Sequence, residues 1–249
     1  MSGLQPNFWK LAKEIIDISG ALAWCPADAP FVHLTGGNVD TWYDIAQRRT
    51  LTDQGVAGNR PPWDGSNPMS PFVNFDGTRV LYGMNGVLNG LSGCTVILTA
   101  QLATPAGTSV LCGYEVSTGV RFEVYTPAAN TILHTFAQSG AGANTDWGMT
   151  GNADTANVDV FVFRVNFPDT VTAAKPVRVN GVDQAGAYGS AAAANTTFPV
   201  NSFSLGAYLG NAANFPAKFK ARDVLIAPYL DNTKADYLYQ CFKTLRGTA

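Results

Sequence analysis

Charge is scarce in this 249-residue chain. Asp, Glu, Lys and Arg together make up 14% of it, against about a quarter in an ordinary soluble domain. Glutamate is scarcer still: Glu14, Glu115 and Glu123 are the only three, and His33 and His134 are the only histidines. These shortages remove whole classes of chemistry. There is no Gly-x-Ser-x-Gly elbow to activate a serine, no His-Glu-x-x-His pair for zinc, and no glycine-rich phosphate loop. Lys and Arg nowhere cluster and the net charge is −2, which argues against nucleic acid as a partner, because phosphate binding needs grouped cations. No run approaches the roughly 18 apolar residues of a membrane span, so no membrane partner is expected. Lys10, Lys13, Glu14 and Asp17 interrupt the region that a secretory signal requires to be apolar, so the chain is expected to start as a cytoplasmic product. Cys25, Cys94, Cys112 and Cys241 are scattered without a Cys-x-x-Cys pair and read as reduced, buried small hydrophobes. The one local acidic cluster, Asp154, Asn157 and Asp159, lacks a defined ligand spacing, so no metal site is expected there.

What is present is pattern. In Pro6–Ile18, Phe8, Leu11, Ala12 and Ile15 recur at helical spacing, with Trp9 and Ile16 as a second stripe beside them. The apolar arc is wider than a helix lying on one core needs. From Ala21 onward the period is two, punctuated by Gly, Pro, Asn and Asp. "VRFEVY" (Val120–Tyr125) sets Val120, Phe122 and Val124 against Arg121, Glu123 and Tyr125, a half-exposed strand. "VDVFVFRVNF" (Val158–Phe167) is apolar on both faces for most of its length, which suits the middle of a covered sheet. In "VNFDGTRVL", Val73 and Phe75 are expected to face the core and Asp76-Gly77 to make the bend. His134, between Ile132 and Phe136 on one strand face, reads as a hydrogen-bonded sheet histidine rather than a base. "AGAYGSAAAANTTFPV" (Ala185–Val200) reads as an exposed loop. A final helix is expected, capped by Asn232 or Thr233, lined by Leu238, Cys241, Phe242 and Leu245, and ended by Gly247. Many short strands without alternating helices indicate an all-β sandwich or barrel. Residues 1–20 are expected to form an N-terminal helical segment, a candidate docking arm, and 21–249 a single sandwich domain.

Several segments, in order, resemble those of laminin-G-like, concanavalin A-like sandwich domains. They are "NVDTWYDIAQRRTLTDQGVAGNRPPW", with its W-x-D, Gln and Arg-Pro; "VNFDGTRVL", with its F-D-G strand ending; and "VRVNG", "SFSLGAYL" and "FKARDVLIAPYLDNTKADYLYQCFKTL", a closing hairpin, strands and helix. The resemblance spans Ala21 to Gly247 and implies an antiparallel two-sheet jelly roll with Trp42 in its core. Some domains of this fold hold calcium at loop carboxylates and carbonyls, but no motif carries such a site over, so no cofactor is expected. Retaining glycosidases of this fold carry an E-x-D-x-E strand, which is absent here.

Three functions follow as expectations. Sandwich domains of this kind are common in tailed-bacteriophage particles, an analogy from fold alone. The first expectation is thus a non-enzymatic structural or decoration protein of a virion (capsid, fibre or tail), located in the particle. It would dock on other virion proteins and on copies of itself through Phe8, Trp9, Leu11, Ile15 and Ile16. The second is a carbohydrate-binding module that uses Trp63 and Trp147, aromatics in loop-like sequence suited to stacking on sugar rings; Tyr114, Tyr125 and Tyr208 are further candidates. The third is a divergent glycoside hydrolase using Glu115 and Glu123.

Overall fold

The computed structural model describes residues 7–45, 49–67, 70–115, 120–139, 144–167, 176–191, 196–208 and 215–247. Helix α1 (Phe8–Ser19) is followed by β1 (Ala23–Pro26), β2 (Val32–Thr35), β3 (Asn38–Tyr43), β4 (Thr50–Thr52), β5 (Trp63–Asp64), β6 (Phe72–Asp76), β7 (Leu81–Gly83), β8 (Gly93–Leu102) and β9 (Ser109–Glu115). Then come β10 (Val120–Thr126), β11 (His134–Ser139), β12 (Asn144–Met149), β13 (Asp159–Asn166), β14 (Val177–Val179), β15 (Val182–Asp183), β16 (Gly186–Ala191), β17 (Ser202–Leu205), β18 (Lys218–Pro228) and helix α2 (Asn232–Arg246).

The strands form two antiparallel sheets. The smaller has 8 strands in the order β15-β14-β13-β8-β18-β6-β5, with β1 also paired to β18. The larger has 10, in the order β16-β12-β11-β10-β9-β17-β7-β4-β3-β2. Between them lies the main core, which includes Trp42, Phe75, Phe122, Phe161, Phe163, Phe203 and Phe219. A second apolar layer sits on the opposite side of the smaller sheet. There Val160 and Val162 of β13, with Ile97, Leu225 and Ala227, meet Phe8, Ala12 and Ile15 of α1 and Leu238, Phe242 and Leu245 of α2. This explains the doubly apolar β13: its phenylalanines fill the sandwich while its valines carry the helices.

Helix α1 is tied down more firmly than a docking arm requires. Phe8 is fully buried, its ring 5.9 Å from both Trp24 and Phe31, and Ile15 is fully buried as well. Leu11 and Ile16 are half-buried. Of the five residues expected to face a partner, Trp9 alone is exposed, at 61%. The surplus apolar arc is consumed by the chain's own sheet and by α2. The cap of α2 is Asp231, one residue earlier than expected, whose carboxylate accepts from the Lys234 amide at 2.9 Å. Gly247 ends α2 in the left-handed conformation, as expected.

The Asp76 bend is also as expected. Its Oδ1 accepts from the Thr78 amide at 2.9 Å and from the Thr78 hydroxyl at 2.6 Å, and Gly77 takes φ of +90°. All four cysteines are free and buried; burial pushes the Cys25 and Cys94 thiols up, so they stay protonated. A buried ion cluster pins the end of α2. Arg246 Nη2 lies 2.6 Å from Asp223 Oδ1 of β18 and 2.7 Å from Asp28 Oδ2, while the Trp24 indole donates to Asp223 Oδ1 at 3.1 Å. Burial favours loss of the Arg246 proton, but the two carboxylates outweigh it and hold its pKa above the ordinary guanidinium value.

Two expectations fail in a related way. "AYGSA" was expected in a loop, yet Gly186–Ala191 is an edge strand paired with β12. Trp147, expected in a loop, lies on β12 at 3% exposure in the main core. Both failures share one contact: a Cβ on Gly186 would stand 2.3 Å from the Trp147 ring, so the missing side chain makes room for the indole.

Candidate functional site

Alternation on β10 sends Phe122 and Val124 into the core, and therefore Arg121, Glu123 and Tyr125 to the outer face of the larger sheet. The register continues the pattern across two more strands. Glu123 stands opposite Phe136 and Tyr125 opposite His134 on β11, and Phe136 stands opposite Asp146 on β12. Six side chains from three strands thus share one patch.

Two linked groups make up the patch. In the first, Asp146 accepts from the Tyr125 hydroxyl at 3.0 Å and contacts His134 Nδ1 at 3.1 Å. The Tyr125 and His134 rings lean together at 5.0 Å between centroids. In the second, Arg121 Nε lies 3.3 Å from Glu123 Oε1, its Nη1 donates to the Tyr208 hydroxyl at 2.5 Å, and its guanidinium lies 5.0 Å from the centre of the Phe136 ring. Tyr208 in turn meets Phe215, which is 50% exposed, edge to face at 6.1 Å. The result is a surface of aromatic faces interleaved with hydrogen-bonding groups.

Burial governs the electrostatics of the patch. Burial, aided by the Asp146 charge, pushes the Tyr125 phenol well above its usual range, so it remains a donor at neutral pH. Burial also raises the Glu123 carboxyl, and Arg121 only partly opposes this.

Glu123→Gln tests this environment. Because its folded pKa is raised, Glu123 contributes stability below its unfolded pKa that is lost as pH rises through the folded value. The amide removes that loss. The variant is therefore expected to melt above the wild type at neutral pH and alongside it in acid below the carboxylate range. Equal melting temperatures at both would refute the assignment.

The expected site residues are placed as follows. His134 is the hydrogen-bonded sheet histidine read from the sequence. Glu123, read as a solvated carboxylate on a half-exposed strand, is buried, at 9% exposure. Glu115 ends β9 on the neighbouring strand, and its side chain lies outside the described residues. Trp63 sits on the two-residue β5, half-buried against the core, with its indole donating to the Ala27 carbonyl at 2.8 Å. Trp147 is core, as is Tyr114, whose hydroxyl donates to Pro199 O and accepts from the Asn201 amide. Neither tryptophan thus joins the patch, whereas Tyr125 and Tyr208 do. Asp146 and Phe136 were missed as site residues; the alternation of "HTFAQS" was the available signal for Phe136. Among the described residues, no group of three His, Cys, Asp or Glu side chains comes together to hold a metal.

The protein is an antiparallel two-sheet sandwich with a polar-aromatic patch on its helix-free side. No family model matches the chain, and no curated protein matches it. Solved structures do. The Trypanosoma rangeli sialidase, determined in complex with 2,3-difluoro-KDN, aligns with a TM-score of 0.57 at 15% identity over 95% of this chain and 39% of the sialidase. Botulinum neurotoxin type C, described as entering cells through interaction with two ganglioside molecules, aligns at 0.60 and 8% identity over 93% of this chain and 53% of that one. The botulinum neurotoxin serotype D ligand-binding domain, determined with N-acetylneuraminic acid, aligns at 0.59 and 10% identity over 92% and 52%. This chain therefore spans about two fifths of the sialidase and half of the toxin chains, and at these identities the likeness concerns the fold.

Proposed function

We propose that this protein is a carbohydrate-binding sandwich that takes a glycan on the outer face of its larger sheet. The observation that carries the reading is the patch itself. Phe136, Tyr125 and Tyr208 offer ring faces to stack on sugars, while Arg121, His134 and Asp146 stand among them as hydrogen-bonding partners for hydroxyls. Saccharide ligands named for the structural neighbours support the same reading. They lend nothing to a virion role, and one exposed tryptophan on α1 is a thin basis for docking, so glycan binding takes precedence.

A glycan array followed by titration of the best ligand tests the proposal. Phe136→Ala is expected to weaken binding several-fold, up to about tenfold, the scale of one aromatic stacking contact of about 0.5–1.5 kcal/mol. Because Phe136 is only half-buried, the melting temperature should change little. Binding that is indifferent to both Phe136→Ala and Tyr125→Phe would remove the patch from consideration.

A further inference from the structure

The smaller sheet has a part of its outer face that the helices do not reach. There β6, β18 and β8 run side by side under a groove of about 550 Å³. Phe219 of β18 points inward, stacked on Phe75 at 4.6 Å, so Lys218 and Lys220 on either side of it point out into the groove. Lys220 lies on one transverse line with Asn74 and Gln101, and Lys218 lies opposite Asp76. The far wall is fixed by the Gln101 amide, which donates to the Thr155 and Ala156 carbonyls at 3.0 and 3.1 Å.

The acids near these lysines are already engaged. Asp76 accepts from Thr78 and from Arg79 Nε at 3.3 Å. Asp64 accepts from the Ser66 amide and hydroxyl at 3.1 and 2.6 Å. Among the described residues, no carboxylate lies within ion-pair distance of either ammonium. Lys220 Nζ lies 6.0 Å from the centre of the Phe72 ring, and the two cations, two residues apart on one strand beside the Asn74 amide, offer charge to an acidic group.

We propose that this groove binds the carboxylate or sulfate of an acidic saccharide, with Lys218 and Lys220 pairing with the charge and Asn74 and Thr104 meeting neighbouring hydroxyls. The inference rests on the glycan-binding reading and adds a second site with a charge preference, on the other sheet. The probes are a heparin-derived tetrasaccharide, uncharged maltotetraose and inorganic sulfate, titrated into the full chain at low and at physiological ionic strength.

The tetrasaccharide is expected to bind, to shift the backbone amides of Asn74, Gln101 and Thr104, and to weaken as salt screens the charges. The double variant Lys218→Ala, Lys220→Gln should lose about tenfold in affinity, the scale of two exposed ion pairs, with an unchanged melting temperature. Phe136→Ala should leave this binding intact. The proposal is overturned if the tetrasaccharide fails to bind at low salt, if the double variant binds it equally well, or if maltotetraose or sulfate alone matches its affinity. A neutral glycan unaffected by Phe136→Ala would count against the patch on the larger sheet and leave the groove standing, so the two failures are distinguishable.

Discussion

Arg246→Ala is expected to cost about 3–5 kcal/mol of unfolding free energy, the range found when one partner of a buried ion pair is removed. For a chain of this size that lowers the melting temperature by roughly 10 °C. The physical reason is what stays behind. The Arg246, Asp28 and Asp223 side chains are 1%, 5% and 0% exposed, so deleting the cation leaves two carboxylates out of water with their strongest donor gone. The cluster also joins three separate parts of the chain: the end of α2, strand β18, and the turn after β1. Arg246→Lys should recover only part of the loss, because an ammonium cannot reproduce the four contacts that the guanidinium fork makes to two carboxylates. Thermal and urea unfolding followed by circular dichroism check both variants. A melting temperature within a degree or two of the wild type for Arg246→Ala would show that the cluster contributes little.

Trp147→Ala should be comparably damaging, at about 3–5 kcal/mol for a buried tryptophan cut to alanine. Its indole lies at 3% exposure between the sheets, in the space that Gly186 leaves open. A residue that stacks on a ligand from a loop would behave in the opposite way, with affinity lost and stability kept. The variant is therefore expected to unfold at a much lower denaturant midpoint, while the folded fraction at low temperature keeps its affinity for any glycan that the wild type binds. A stable Trp147→Ala protein that no longer binds sugar would restore the expectation read from the sequence.

Much of this fold was visible in side-chain alternation. Strands with one apolar and one polar face, such as β10, and the doubly apolar β13 could be read directly, because their burial follows from their own residues. The terminal helices were visible for the same reason. The failures lie where burial depends on a partner remote in sequence. "NTDWGM" is rich in turn-forming residues, and its tryptophan counts as core only once β16 supplies a glycine beside it. "AYGSA" carries too few large side chains to show a period, so its pairing comes from the backbone at a sheet edge. Half of the candidate patch was legible, since Arg121, Glu123 and Tyr125 alternate along one strand. Tyr208 was a candidate as an aromatic, but its meeting with Arg121, like the entry of Asp146, comes through sheet register and loop return, which no local pattern encodes. The burial of Glu123 was hidden in the same way.

Both helices lie against the same sheet and touch one another, with the Tyr237 hydroxyl donating to Glu14. The sandwich therefore has a back, where the two helices meet, and a front free of both. A tether built onto the exposed face of either helix would hold the molecule from behind and leave the larger sheet facing forward. Protein held this way should keep the affinity of the patch on the larger sheet, whereas the groove shares the helices' side and is the site that crowding at the surface reaches first.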